Sequence, residues 1–154
     1  MNEVQINTTF RKYQEKDRDQ VINLWTDVFQ ETTTYNAPDA MLDEKLAIDD
    51  LVFVADSDTG ILGACMAGYD GHRGWLYAIA VSPAQRLTGV GHSLVDFALA
   101  SLGALGCHKV NLQIRGSNPN AAGFYNKLGF QVEDRISMGL TLPRQTTEIQ
   151  IDIR

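Results

Sequence analysis

Residues 85–94, QRLTGVGHSL, place an arginine and two glycines directly ahead of an apolar helical pattern. The first N–H groups of a helix have no partner within the helix, and they carry partial positive charge. Glycine has no Cβ, so an anionic group can come close to the backbone at Gly89 and Gly91. Arg86 adds a permanent positive charge, and the hydroxyls of Thr88 and Ser93 add hydrogen-bond donors. The segment therefore predicts a phosphate-binding turn.

Two known phosphate-binding patterns do not fit this segment. A Walker-type loop needs glycine and lysine where Arg86 and His92 stand. A dinucleotide fingerprint needs a third glycine, where Leu94 stands, and an acidic residue about 20 residues further on, where KVNLQIRG (109–116) has none. An ordinary glycine-containing turn between a strand and a helix is the alternative that this segment alone leaves open.

A known family pattern does fit. Arg86, Gly89 and Gly91 match the Gln/Arg-x-x-Gly-x-Gly/Ala pyrophosphate loop of the GNAT acetyltransferases. Residues 118–130, NPNAAGFYNKLGF, resemble that family's second signature, Asn-x-x-Ala-x-x-Phe-Tyr-x-x-x-Gly-Phe. The residues that match this second signature are Asn118, Ala121, Phe124, Tyr125, Gly129 and Phe130.

The resemblance extends over about residues 7–141, most of the chain. The segment GYDGHRG (68–74) further resembles the YpeA-like branch of small bacterial members. Leu87 departs from the family pattern, since many members have glycine there. The resemblance implies direct transfer of an acetyl group from acetyl-CoA to a primary amine of a small molecule or peptide, without a metal.

The resemblance also implies roles for individual residues. The pantetheine arm would pair with the strand before the loop at Ile79 and Val81, and the N–H of Ile79 or Ala80 would polarise the acetyl carbonyl. Asn118 would contact the cofactor arm. Tyr125 would protonate the departing thiolate, because a phenol with a pKa near ~10 keeps its proton at neutral pH; a core aromatic residue is the alternative. The implied cofactor-binding residues are Ile79, Ala80, Val81, Arg86, Leu87, Thr88, Gly89, Val90, Gly91, His92, Ser93, Asn118, Phe124 and Tyr125.

A general base is missing from the positions where family members often carry one. An ammonium group must lose a proton before it can attack. The corresponding positions here hold Trp75, Tyr77 and Gln113, none of which is a base at neutral pH. Asp70 is the proposed substitute: with a two-residue turn at residues 72–73 it would lie directly across from Trp75 and act through a water relay. A turn-forming Asp-Gly pair is an equally good interpretation of Asp70.

The acceptor is expected to bind against the first helix and the loop that follows it. Tyr35 and Asn36 in that loop, together with Tyr77, are the predicted substrate-binding residues, because aromatic rings can hold an amine by packing or cation–π contact. Trp25 and Phe29 lie on the same helix, and Trp25 is expected in the core. A second function remains open: a catalytically weak acyl-CoA-binding sensor or interaction module.

The hydrophobic periodicity predicts an α/β chain with a mixed sheet, in which an antiparallel meander precedes parallel strands with crossover helices. Strands are expected at 6–13, 51–56, 61–70, 75–82 and 109–114, with one or two closing strands within 130–142. Helices are expected from Asp17, as the cap, to about Glu31, at 39–48 with Pro38 in the first turn, at 91–103, and from Asn118 or Asn120 to Leu128 with Gly129 as a left-handed end.

The composition of the 154-residue chain sets further limits. Thirteen Lys and Arg against 19 Asp and Glu give a net charge of −6, which argues against non-specific nucleic-acid binding. Neither a signal peptide nor a membrane-spanning run is seen, and the two cysteines form no metal or disulfide pattern. We expect one cytoplasmic domain over residues 1–154. Within the extension 142–154, the alternating segment EIQIDIR (148–154) could add an edge strand to its own sheet or to that of a second copy in a homodimer.

Overall fold

The computed structural model describes residues 7–31 and 35–143. Its strands form one five-stranded sheet in the order β1-β2-β3-β4-β5. Neighbouring strands are antiparallel from β1 to β4 and parallel between β4 and β5. This confirms the predicted mixed α/β architecture. The elements are β1 (Thr8–Lys12), α1 (Arg18–Phe29), α2 (Pro38–Leu46), β2 (Val52–Ser57), β3 (Gly60–Tyr69), β4 (Gly74–Val81), α3 (Val90–Ala104), β5 (Val110–Asn111) and α4 (Ala121–Lys127), with short 3₁₀ turns at Glu15–Asp17 and Pro83–Gln85.

Helices cover both faces of the sheet, and the alternation of side chains along the central strands supplies one core to each face. On β2, Val52 and Val54 pack against α1 and α2, whereas Phe53 packs against α3. The sequence spaces Val21, Leu24, Trp25, Val28 and Phe29 along one face of α1, and the first three are buried while Val28 and Phe29 are half-buried. The apolar face predicted for α3 is confirmed as buried, and it consists of Leu94, Val95, Ala98 and Leu102.

A buried ion-pair network fixes the start of α1 to the sheet. Asp17 is only 2% exposed, and its carboxylate accepts two hydrogen bonds from Arg11, at 2.7 and 2.9 Å. The same carboxylate accepts the N–H of Gln14 at 2.8 Å, and Arg11 also pairs with Asp56 at 3.0 Å. The hydrogen bonds from Arg11 hold the pKa of Asp17 below its usual range. Asp17 occupies the N-cap position of α1, as predicted, but its side chain makes no capping bond, because Arg11 and the preceding turn use that carboxylate.

The strand β4 carries a bulge in its second half. Its register against β3 pairs Tyr77 with Met66 and Ala80 with Ala64, so two residues of β4 stand opposite the single residue Cys65. Ala78 adopts a left-handed backbone with φ 48°. The indole N–H of Trp25 on α1 donates to the Ala78 carbonyl at 2.8 Å and so stabilises the bulged backbone.

Strands β4 and β5 separate soon after they meet. They pair only at Gly74 with Val110 and at Trp75 with Asn111. The predicted strand 109–114 is therefore too long, because β5 does not follow β4 toward the bulge. Among the described residues, no strand pairs with this side of β4 beyond Trp75.

The closing strands predicted within residues 130–142 do not appear. Side-chain contacts take the place of a ladder: Glu133 accepts from Lys109 and from Asn111, and the Gln113 amide donates to Ser137. The end of α4 agrees with its prediction, since Gly129 has φ 98°; the expected Asn cap makes no side-chain bond. The possible edge strand 148–154 lies outside the described residues. In the described part of the chain, no helix has the length and apolar character needed to cross a membrane.

Candidate active site

The turn between β4 and α3 leaves the start of the helix open. Gly89 occupies the N-cap position with φ 88° and ψ −1°, a left-handed conformation that favours glycine. A Cβ placed on Gly89 would meet no atom within 4 Å. Arg86 and Thr88 on the same turn are exposed. An anionic group can therefore approach the first N–H groups of α3, as the sequence pattern predicts.

Gly91 has a different role from Gly89. A Cβ at Gly91 would lie 3.2 Å from the Val81 side chain and 3.4 Å from the Phe124 ring. The absence of a side chain therefore lets α4 pack close to the start of α3. This contact brings the two sequence motifs together, although about thirty residues separate them in the chain.

Leu87 stands out within the turn. It has φ 68° and a fully exposed side chain (106% relative exposure). A leucine in this left-handed region carries roughly 1–2 kcal/mol of backbone strain. Leu87 thus holds a strained position that glycine would occupy freely. On the neighbouring residue, the Thr88 hydroxyl, which was predicted to donate to a phosphate, donates to the Gln85 carbonyl at 2.6 Å.

A polar cavity of about 350 Å³ lies beside the turn. Thr88, Gly89, Val90 and Ser93 line one side of it, and the start of β1 lines the other. The contribution of Asn7 and Thr8 was not predicted from the sequence, because only the fold brings the start of β1 next to α3. The other predicted residue here, His92, is exposed and lies 3.2 Å from Asp96 one turn further along α3.

The second half of β4 contains the residues predicted to bind the pantetheine arm. Ile79 and Val81 are half-buried, and Ala80 between them is buried. They follow directly on the bulge at Ala78. Their backbone groups on the β5 side have no strand partner among the described residues, so this edge could accept an extended ligand by backbone hydrogen bonds. Asn118 is exposed in the turn before α4, where its N–H donates to the Arg115 carbonyl at 2.9 Å.

Tyr125 sits where α4 meets the sheet. Its ring packs edge-on against Phe124, with the ring centres 4.9 Å apart, and against Phe130 at 5.9 Å. Burial, with a smaller contribution from Cys65, raises the pKa of Tyr125 to about 12. Cys65 is the residue of β3 opposite the bulge, and Tyr125 packs against the same core cluster as Cys65 and Ile79. Burial likewise raises the pKa of Cys65 to about 12, which keeps it a neutral thiol.

Asp70 belongs to a tight turn. Its Oδ1 accepts the N–H groups of His72 and Arg73, each at 2.8 Å, and these bonds lower its pKa. The register places Tyr69 opposite Gly74, so the central turn residues are 71 and 72 and Asp70 faces Arg73. The predicted turn at 72–73, with Asp70 directly across from Trp75, is therefore wrong by one residue, because Gly71 supplies the left-handed φ of 93°.

The predicted acceptor residues lie in two places. Tyr77 is half-exposed on β4 and stacks on Trp75 with ring centres 6.5 Å apart. Its pKa is raised by burial and, to a smaller extent, by the charge of Asp70. Tyr35 is exposed in the turn before α2, next to Asn36, and lines a cavity of about 620 Å³. The other residues that line this cavity are Glu44, Gly139, Leu140, Thr141 and Leu142.

An ion pair between Arg115 and Glu31 was not predicted from the sequence. Arg115 follows β5 and Glu31 follows the end of α1, so the pair links the segments that follow these two elements. The segment LQIR (112–115) contains the arginine, but its partner is 84 positions away and only the fold reveals it. No group of three or more His, Cys, Asp or Glu side chains that could hold a metal occurs among residues 7–31 and 35–143.

Known proteins are similar to this chain in sequence and in fold. The model of the Acetyltransferase (GNAT) family matches residues 18–130. An acetyltransferase of Yersinia enterocolitica is 36% identical over 135 residues, which cover 86% of this chain and 94% of that protein. An acetyltransferase of Sodalis glossinidius is 35% identical over 129 residues, 82% of this chain and 89% of that protein. Among solved structures, the aminoglycoside N-acetyltransferase AAC(6')-Iy in complex with CoA has the same fold, with a TM-score of 0.76 at 19% identity, over 92% of this chain and 99% of that one.

Proposed function

Because the chain belongs to the acetyltransferase (GNAT) family, we propose that it transfers the acetyl group of acetyl-CoA to a primary amine of a small molecule or peptide, with Tyr125 as general acid. The chain is an acetyl-CoA-dependent acetyltransferase; the acceptor and the acid are the proposal. We also propose that residues 1–154 form one domain. The cytoplasmic location, the YpeA-like branch and the homodimer stay predictions from the sequence.

One observation carries the proposed mechanism: the helix that bears Tyr125 packs on the phosphate-binding turn. The Phe124 ring meets the start of α3 at Gly91, and the adjacent Tyr125 packs against the same core cluster as Ile79 and Cys65, the residue of β3 opposite the bulge. A ligand that placed its pyrophosphate at Gly89 and its extended arm along Ile79–Val81 would reach the neighbourhood of the phenol. The open Gly89 and the unpaired edge of β4 therefore fit acetyl-CoA.

Each of these groups has its own role in the proposed reaction. Acetyl-CoA supplies the acetyl group as a thioester. The N–H groups at the start of α3 and Arg86 hold the pyrophosphate, and the N–H of Ile79 or Ala80 polarises the acetyl carbonyl. The neutral acceptor nitrogen forms the new C–N bond, the C–S bond breaks, and the Tyr125 hydroxyl gives its proton to the sulfur. A pKa of about 12 keeps that proton on Tyr125 at neutral pH.

Proton removal from the acceptor is assigned to Asp70 through a water relay with Tyr77. A lowered pKa makes this carboxylate a weaker base, and the turn already uses one of its oxygens. That observation favours the second candidate function, an acyl-CoA-binding sensor with little transferase activity. Both functions require the same acetyl-CoA site and differ only in turnover.

Calorimetry with acetyl-CoA tests the site directly. Gly89→Glu places a carboxylate where the pyrophosphate should bind, and a like-charge clash of several kcal/mol corresponds to a loss of affinity of at least about 100-fold. Gly103→Glu is the matched control, because it adds the same charge to α3 where no atom lies within 4 Å of the new Cβ. Gly89→Asn controls for the backbone, since asparagine tolerates a left-handed conformation.

The outcomes separate the two functions. Micromolar binding that only Gly89→Glu abolishes supports the site, and release of CoA with a panel of primary amines then supports the enzyme. Tight binding without release for any amine supports the sensor. If the wild-type protein does not bind acetyl-CoA, or if both Glu variants weaken binding equally, the turn is not a pyrophosphate site and the proposal fails.

A further inference from the structure

Two aromatic side chains of β4 lie open on the face of the sheet that carries α1 and α2. Trp75 and Tyr77 alternate with Leu76, which is buried in the core beside α3, so both rings lie on the opposite face. Their ring centres are 6.5 Å apart, and the ring planes are 23° from parallel. Tyr77 is 49% exposed and Trp75 is half-buried. A stacked pair with this exposure offers the faces of its rings to a ligand.

The neighbouring strand β3 adds a carboxylate to this surface. Gly68 is the register partner of Trp75, and a Cβ placed on Gly68 would lie 3.5 Å from the Tyr77 ring. The ring of Tyr77 therefore leans across Gly68 toward β3. Asp70 follows on the same face, two residues further along the chain. Its charge contributes to the raised pKa of Tyr77, so the carboxylate and the ring lie within electrostatic reach of each other.

The carboxylate of Asp70 is suited to attract a cation. Its Oδ1 accepts two backbone N–H groups of the turn, and these bonds lower its pKa. Among the described residues, no side chain forms a hydrogen bond or an ion pair with it. A low pKa makes Asp70 a weak base, but it keeps the group ionised at neutral pH. The chain as a whole has a net charge of −6, which also favours the approach of cations.

This surface begins close to the reacting position. In the proposed reaction the attacking nitrogen lies near the N–H of Ile79 or Ala80. Tyr77 precedes Ile79 by two residues and Trp75 precedes it by four, so the two rings lie at most roughly 7 and 13 Å from Ile79 along β4, at ~3.3 Å per residue. An elongated acceptor that reacted at Ile79 and lay on both rings would end near Asp70.

We propose that the acceptor carries a second cationic group, with its aliphatic chain on the faces of Trp75 and Tyr77 and its second charge near Asp70. This inference rests on the proposed function and names the substrate class, a diamine or another primary amine with a distal cation on an aliphatic chain. Methylene groups pack on aromatic faces, and an ammonium group is attracted by the rings and by the carboxylate. A neutral group in the same place would lack both attractions.

Acceptors that differ only in the distal group test the proposal. The α,ω-diamines from butane to octane are compared with the α,ω-amino alcohols of the same length, in which a neutral hydroxyl replaces the second ammonium group. The best diamine should have a kcat/KM at least about fivefold above that of its amino alcohol, beyond the statistical advantage of two equivalent amines. Tyr77→Leu and Trp75→Leu should reduce this preference to the statistical advantage alone. Tyr77→Phe keeps the ring face and should keep the preference, whatever its effect on the rate.

Asp70→Asn separates two roles of this residue. Asparagine can accept the same two backbone N–H groups, so the turn is kept while the charge is removed. A rise in KM for the diamine without a similar rise for the amino alcohol supports the proposed role. An equal fall in kcat for both acceptors, with the preference unchanged, identifies Asp70 as a base and overturns its part in the proposal.

Tryptophan fluorescence tests the same surface without turnover. The chain has two tryptophans, and Trp25 is fully buried, so a ligand on the rings should change the emission of Trp75. The ligand used is pentyltrimethylammonium, which cannot be acetylated because its nitrogen carries no hydrogen, and pentanol is the neutral control. The ammonium compound should give a saturable change that pentanol does not give, and Tyr77→Leu should weaken its binding at least about fivefold. Trp75→Phe identifies the signal.

The outcomes separate this inference from the proposed function. Equal kcat/KM for diamines and amino alcohols, or a preference that survives both leucine variants, overturns the inference. If no amine is acetylated, the proposed function fails and the fluorescence titration decides alone. Binding of the ammonium compound that Tyr77→Leu weakens then supports the aromatic surface as a cation site, and no binding, or binding equal to that of pentanol, overturns it.

Discussion

Tyr125→Phe is the sharpest test of the chemistry, because it removes one oxygen and leaves the ring in place. The ring contacts with Phe124 and Phe130, at 4.9 and 5.9 Å, do not involve the hydroxyl, so the variant should fold. Loss of a positioned general acid lowers kcat by about 10²–10⁴-fold, or roughly 2.7–5.4 kcal/mol at 1.36 kcal/mol per decade. The Kd for acetyl-CoA should stay within twofold. Tyr69→Phe is the control, since its hydroxyl binds the Gly71 and Gly106 carbonyls near the far end of β4.

The pKa of Tyr125 gives this test a second readout. Its folded value of about 12 lies above the ordinary value near 10, so the neutral phenol is favoured by at most about 2.7 kcal/mol. This contribution to stability is complete below pH 10 and is lost as pH rises through 12. Absorbance at 295 nm should show one late-titrating tyrosine fewer in Tyr125→Phe than in the wild-type protein, in which the pKa of Tyr13 is also raised to about 12. If the variant keeps more than half of the wild-type kcat, Tyr125 is a core aromatic residue and its role as general acid is refuted.

Two further predictions concern stability and the turn. Arg11→Met leaves the buried Asp17 carboxylate without its partner and should lower the free energy of unfolding by about 3–5 kcal/mol at pH 7 in urea titrations. Since the hydrogen bond from Arg11 is the largest cause of the lowered pKa of Asp17, the loss of stability should shrink as the pH falls below about 4 and Asp17 becomes protonated. Lys12→Met, which breaks an exposed pair, should change stability by no more than about 1 kcal/mol, and a loss as large as that of Arg11→Met would contradict the argument. Leu87→Gly removes the strain at φ 68° and should stabilise the fold by about 0.5–1 kcal/mol after the added entropy of the unfolded chain, whereas destabilisation in thermal melts would show that the leucine contributes contacts.

Sequence patterns predicted the parts of this structure that depend on neighbours along the chain. The apolar faces of α1 and α3, the strand order of the meander and the left-handed Gly129 all follow from periodicity or from single-residue preferences. The wrong predictions concern features that depend on a contact with another element of the fold. Asp17 looked like a helix cap because Ser, Thr, Asn and Asp are common there, but Arg11 on β1 takes its carboxylate.

The candidate site shows the same division. The phosphate-binding turn was predictable, because its glycines act through their own backbone. The hydrogen bond from the Trp25 indole N–H to the bulged backbone of β4 was not, since the two residues lie 53 positions apart. The ion pair of Arg115 with Glu31 was not predicted for the same reason, since the two residues lie 84 positions apart. The turn at Asp70 was misjudged by one residue, because a two-residue hairpin loop can be read in either phase until the register is known.

These observations suggest where acceptor specificity resides. Most groups assigned to acetyl-CoA are backbone N–H groups, held in place by glycine, by the bulge and by Trp25, so they constrain few side chains and carry no information about the acceptor. The cavity beside Tyr35 is different, because it is lined by side chains outside both motifs, with one carboxylate, from Glu44, among apolar and hydroxyl groups. A wall of this composition is suited to a cationic group on an aliphatic body. If the chain is a transferase for amines, variants of this wall should change KM for the acceptor and leave acetyl-CoA binding unaltered, and variants of the turn should do the reverse.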